Sequence, residues 1–202
     1  MIPVPGLDSV RCAWIDIRAA QFSLHGFLVY LSSDQFFPEY IDGAGLSDLD
    51  VWSGSNCAIF VIQVPSVKWI MYAKQTNHIW WRIFGPQISS DRDFEDIVSE
   101  YGEKKIFELD GKLHTLRDIF APSLNDLLHN NEIAKILERF NLPPTGHPGL
   151  ILFRDLEDSE IWHIDMSDLV DLPEKKLRQA MRAWFAGKQF SKLLKDATNA
   201  KN

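Results

Sequence analysis

The chain has 202 residues, 46% hydrophobic and 24% charged, which is enough for one sizeable core and ordinary for a globular protein. A net charge of −7 argues against nucleic acid as a general partner. No apolar run approaches the roughly 20 residues that cross a bilayer, and the start, MIPVPGLDSVRCAW, has neither the basic lead nor the long apolar stretch of a secretory signal.

In chain order, FLVYLSS (27–33) reads as a strand: short, apolar, and rich in β-branched and aromatic residues. From Asp34 to Gly54 the apolar spacing suits helical turns interrupted at Gly43 and Gly45. CAIFVIQV (57–64) is apolar nearly throughout, as expected of a strand covered on both faces. KWIMYAK and HIWWRIF flank Gln75-Thr76-Asn77, which predicts a β-hairpin. DRDFEDIVSEYG predicts a short helix, and KIFELDGKLHTL carries Asp110-Gly111 as a two-residue hairpin signal.

Helical spacing returns from Ser123, a possible cap, to Phe140, with Asn141 as the end. LPPTGHPG then leads into the strand LILF, a charged turn DLEDS, the strand EIWHID and the amphipathic helix PEKKLRQAMRAWF. This alternation predicts a single α/β domain over 1–202, with a core formed by 25–64 and 123–198 and an inserted antiparallel hairpin region at 65–122.

Charge is unevenly spread. Eight Lys/Arg against Glu174 and Asp196 give +6 over 174–202, leaving −13 for the rest. Residues 154–173 hold seven acids and only Arg154. An acidic hairpin beside a basic helix can neutralise itself or present a two-signed surface. The aromatics of the basic end (Trp184, Phe185, Phe190) lie on its apolar stripe, so they read as core rather than as stacking platforms for bases.

The order of helix, X-Pro loop, strand, hairpin, strand and closing helix over the last 55 or so residues resembles the C-terminal half of a thioredoxin-like fold. FLVYLSS and CAIFVIQV would supply its two parallel strands. The resemblance implies a cis bond at Pro148, a sharp bend eased by Gly149, and a loop that offers backbone groups to peptides, with His147 near that surface. The family's CxxC would fall within Ser32-Ser33-Asp34-Gln35-Phe36-Phe37-Pro38, where no cysteine stands. Thiol–disulfide exchange needs an activated thiolate with a resolving partner, so oxidoreductase activity is not expected.

Cys12 and Cys57 form no CxxC and no metal quartet, which fits a reduced, cytoplasmic protein. Cys57 opens an apolar strand and reads as a small buried hydrophobe. His163 and Asp165 alternate along EIWHID and share a face; with His147 they form the one candidate acid–base or metal-ligating group. No HExxH, Walker or GxSxG pattern is present, and no cofactor is expected.

In HIWWRIF, strand alternation would set His78, Trp80, Arg82 and Phe84 on one face, to be covered either by the protein's own helices or by a partner. The leading expectation is a redox-inactive protein-binding module that contacts its partner through Trp80, Arg82, Phe84, His147 and Pro148. A homo-oligomer is compatible with it. The alternative is a small enzyme with an acid–base, glutathione or metal site near Pro148.

Overall fold

The computed structural model describes residues 2–4, 6–31, 33–34, 40–41, 45–63, 67–76, 78–89, 106–109, 112–115, 126–144 and 148–199. In chain order its elements are β1 (Ile2–Val4), α1 (Leu7–Cys12), α2 (Trp14–Ala19), β2 (Leu24–Val29), α3 (Leu46–Ser53), β3 (Cys57–Ile62), α4 (Val67–Gln75) and α5 (Ile79–Ser89). There follow β4 (Ile106–Leu109), β5 (Lys112–Thr115), α6 (Asp126–Arg139), β6 (Gly149–Phe153), β7 (Ile161–Asp165), a 3₁₀ turn (Ser167–Leu169), α7 (Glu174–Phe185) and α8 (Lys188–Asn199). No described helix is long and apolar enough to cross a membrane.

Strands that are apolar at nearly every position are stable only where both faces are covered. LHGFLV, CAIFVI and GLILF are buried throughout, and they form the middle of a five-stranded sheet in the order β1-β3-β2-β6-β7. β1, β3 and β2 run parallel, while β6 and β7 run antiparallel to their neighbours. Period-two alternation divides the side chains. Phe27, Phe60, Ile151 and Phe153 face α1, α2, α5 and α6; Leu28, Ile59, Leu150 and Leu152 face α3, α7 and α8. The result is a mixed α/β domain with helices on both faces of the sheet.

Local chemistry sets the element ends. Asn141 (φ 53°) closes α6, with its own N–H donating to the Glu138 carbonyl and the Leu142 N–H to the Leu137 carbonyl, a left-handed stop that Asn tolerates. Glu132 of α6 accepts the Leu7 N–H at 3.1 Å, capping α1 from across the chain.

β2 begins three residues earlier than the sequence predicts and ends at Val29, so Leu24, His25 and Gly26 lie inside it. The His25 ring is buried against Trp14 and Phe153, and its Nδ1–H donates to the Arg154 carbonyl at 2.9 Å. At Gly26 an added Cβ would stand 2.7 Å from Leu152 Cδ2, so the glycine permits β6 to approach.

The predicted hairpin over 68–84 is corrected: these residues form helices α4 and α5. Trp69, Ile70 and Ala73, then Trp80 and Ile83, recur at helical spacing and are buried. The turn between the helices is built from Thr76, whose hydroxyl donates to the Tyr72 carbonyl, and His78, whose Nδ1 accepts the Trp80 N–H. Further on, Ile106–Leu109 and Lys112–Thr115 pair antiparallel as a separate two-stranded sheet. The helix predicted at 91–102, the Ser123 cap and the Asp110-Gly111 turn lie outside the described residues. So does His147, and with it the bond preceding Pro148; no cis peptide occurs among the described residues.

β1 is an edge strand with an unusual seal. Val4 turns its carbonyl to β3, accepting the Gln63 N–H, so Pro3 faces outward with no N–H to offer. Its carbonyl accepts the Trp80 indole N–H at 2.8 Å. Trp80→Ala should therefore cost about 3–5 kcal/mol in urea unfolding, through lost packing and an orphaned carbonyl. Trp80→Phe should cost distinctly less, and equal losses would mean that the ring packing Phe retains contributes nothing beside the hydrogen bond and the indole shape.

Candidate functional site

Because β6 runs antiparallel to β2, Pro148 lies beside Tyr30 where β2 ends. The chain leaves β2 through a tight turn in which buried Asp34 accepts the Leu31 N–H at 2.8 Å. His129, buried in α6, donates from Nε2 to the Tyr30 carbonyl at 2.9 Å. On the other side of β6, Asp165 stands opposite Gly149 and His163 opposite Ile151. The His163 ring reaches over Gly149, where a Cβ would come within 2.9 Å of Nε2. Both side chains are exposed on one face, and Asp165 Oδ1 accepts the Ser167 N–H at 2.8 Å, which starts the 3₁₀ turn. Pro148, His163 and Asp165 thus converge at one end of the sheet, and Pro148 itself is buried. His147, Ser32 and residues 35–38 lie outside the described residues.

The aromatic group expected at 80–84 is not one face. On a helix, residue 82 sits about 200° from residue 80. Arg82 is exposed, whereas Trp80 is 3% exposed and Phe84 packs half-buried on the core, its ring 5.9 Å from that of Trp80. Trp80 is therefore core, and the contact surface expected from strand alternation does not form there.

The two thiols differ sharply. Cys12 is exposed at the end of α1. Cys57 is buried in β3, and burial pushes its thiol up to about 12. A group so raised stays protonated and inert.

Two polar contacts escape sequence reasoning. His78 Nε2–H donates to Asp50 at 3.0 Å while its Nδ1 caps α5, so both ring nitrogens hold structure. Burial alone would raise the Asp50 carboxyl, but the His78 hydrogen bond leads the interactions that bring it below its ordinary value. Arg178 of α7 forms a two-pronged ion pair with Asp48 of α3 at 2.6 Å. Beside it, burial raises the Tyr40 phenol, and the Asp48 carboxylate raises it further.

An open groove of about 440 Å³ lies at the opposite end of β2, between Arg18, Phe22, His25, Arg154, Asp155 and Asp158. Its arginines are already matched, Arg18 with Asp155 and Arg154 with Asp158 and Glu160. No group of three or more His, Cys, Asp or Glu placed to hold a metal occurs among the described residues. Comparison with protein-family models, with curated proteins and with solved structures finds no match.

Two outcomes are expected. In Ellman titration of the native protein one thiol should react quickly and the second only after unfolding; Cys12→Ser should abolish the fast phase. A carboxyl held below its unfolded value of 3.8 stabilises the fold above that pH and loses its contribution as pH falls through its folded value. The stability gap between the wild type and Asp50→Asn, followed by urea unfolding, should therefore be full at neutral pH and close below about pH 4.

Proposed function

We propose that this protein is a redox-inactive, non-catalytic module on a thioredoxin-like scaffold that works by binding another protein. The observation that carries the reading is the sheet, with three parallel strands in the order β1-β3-β2 followed by antiparallel β6 and β7. A helix before Pro148 and a closing helix after β7 complete that resemblance. On such a scaffold the reactive thiols would follow β2. Here that stretch is Ser32-Ser33-Asp34-Gln35-Phe36-Phe37-Pro38. The buried thiol of Cys57 is no substitute, and a lone exposed Cys12 has no resolving partner in the chain that is accessible.

A second reading has one observation in its favour. The exposed His163 imidazole lies over Gly149 beside Pro148, where a glutathione or metal site would be sought on this scaffold.

One set of assays separates the two. The protein should not accelerate dithiothreitol-driven reduction of insulin, and its melting temperature should not move with glutathione, Zn²⁺ or Mg²⁺. Acceleration abolished by Cys12→Ser would make it an oxidoreductase. A ligand-induced rise lost in His163→Ala would favour the enzyme.

A further inference from the structure

The two edges of the sheet are treated differently. β1 is closed by Pro3 and the Trp80 indole, whereas β7 has β6 on one side and no described strand on the other. The direction of its backbone groups follows from one bond. Met166 N–H donates to the Pro148 carbonyl at 2.9 Å, so that pair faces inward. In an antiparallel ladder inward and outward residues alternate. Ile164 and Trp162 therefore turn their N–H and C=O to β6, and Ile161 and His163 turn theirs outward.

We infer that this outer edge of β7 is a strand-addition site for an extended segment of another protein that alternates Lys or Arg with apolar residues. The inference rests on the protein-binding reading above and names the surface and the chemistry of the partner. Residues opposite one another across paired strands share a face. On one face the added strand would lie beside half-buried Trp162 and Ile164, which pack onto the α7 side of the core and favour apolar neighbours. On the other face it would lie beside half-buried Ile161 and exposed His163 and Asp165, and a cation on that face is drawn toward the Asp168–Asp171 end.

Charge selects the occupant. Seven carboxylates lie between residues 155 and 171. Arg18, Arg139 and Arg154 answer only those of the hairpin, and Asp168 and Asp171 form no ion pair among the described residues. A second copy would have to pair β7 with β7 antiparallel, by two-fold symmetry. Its hairpin, whose four carboxylates exceed those three arginines by one, would then approach the partner copy's Asp168 and Asp171, and nothing there attracts it. A basic strand meets attraction at the Asp168–Asp171 end and an already matched hairpin at the other.

The probe is a fluorescein-labelled peptide alternating Lys and Val, followed by anisotropy against the full chain. Saturable binding is expected, weakened by salt. It should be at least about tenfold weaker for a Glu/Val peptide and for a Lys/Val peptide N-methylated at every second amide. His163→Pro, which removes an outward N–H together with the imidazole, should weaken binding similarly and well beyond His163→Ala, which removes the imidazole alone, without lowering the melting temperature more than a few degrees. If that variant misfolds, the methylated peptide still decides the matter on the unaltered protein.

No saturable binding, equal binding of the Glu/Val peptide, or indifference to methylation would overturn the inference. So would a concentration-dependent dimer in sedimentation that His163→Pro abolishes, since a second copy would then hold the edge. Methylation-insensitive binding would remove the edge while leaving the binding module standing, whereas insulin reduction would remove the module itself.

Discussion

The antiparallel seam between β2 and β6 is the constraint on which the rest of the structure depends. β2 has β3 on one side, β6 on the other, and helices above and below, so all six of its residues are buried. The seam is close because Gly26 leaves room for Leu152 and for the Ile151 carbonyl. It is also aromatic: Phe153 stacks on Phe27 at 5.6 Å and on His25 at 5.8 Å, and Phe140 of α6 completes the cluster at 5.1 Å from Phe153. Offset ring pairs of this kind add to simple burial. The same seam sets Pro148 beside the end of β2 and determines which strand becomes the outer edge.

Much of this was legible in the sequence because several signals agreed. β3, β6 and β7 have unambiguous composition, α6 has a left-handed Asn stop, and α7 has a clear apolar stripe in Leu177, Met181 and Phe185. The stretch from Trp69 to Phe84 is ambiguous in the sequence because dense aromatic runs satisfy both a period of two and a period of 3.6. Only the turn chemistry of Thr76 and His78 separates them, and a histidine cap is a weak signal in a bare sequence. The start of β2 is not legible because a buried histidine belongs in a strand only through a partner such as the Arg154 carbonyl, 129 residues away.

The candidate site divides along the same line. That His163 and Asp165 share a face follows from strand alternation alone. The face assigned to Trp80, Arg82 and Phe84 failed with the period on which it was based. The Asp50–His78 contact spans 28 residues and joins two helices, so no local pattern announces it. The sequence shows how charge is distributed but not which groups pair. The basic helix α7 answers Asp48 of α3 through Arg178, while the acidic hairpin is answered by Arg18 and Arg139 from the opposite face.

The asymmetry between the sheet's margins limits the size of any assembly built by backbone pairing. A sheet open on one side can join one other and must then stop, so the product is closed at two. A sheet open on both sides can extend without end, as fibrils do. With a proline that has no N–H and a carbonyl occupied by the Trp80 indole, the β1 margin offers little to such pairing among the described residues.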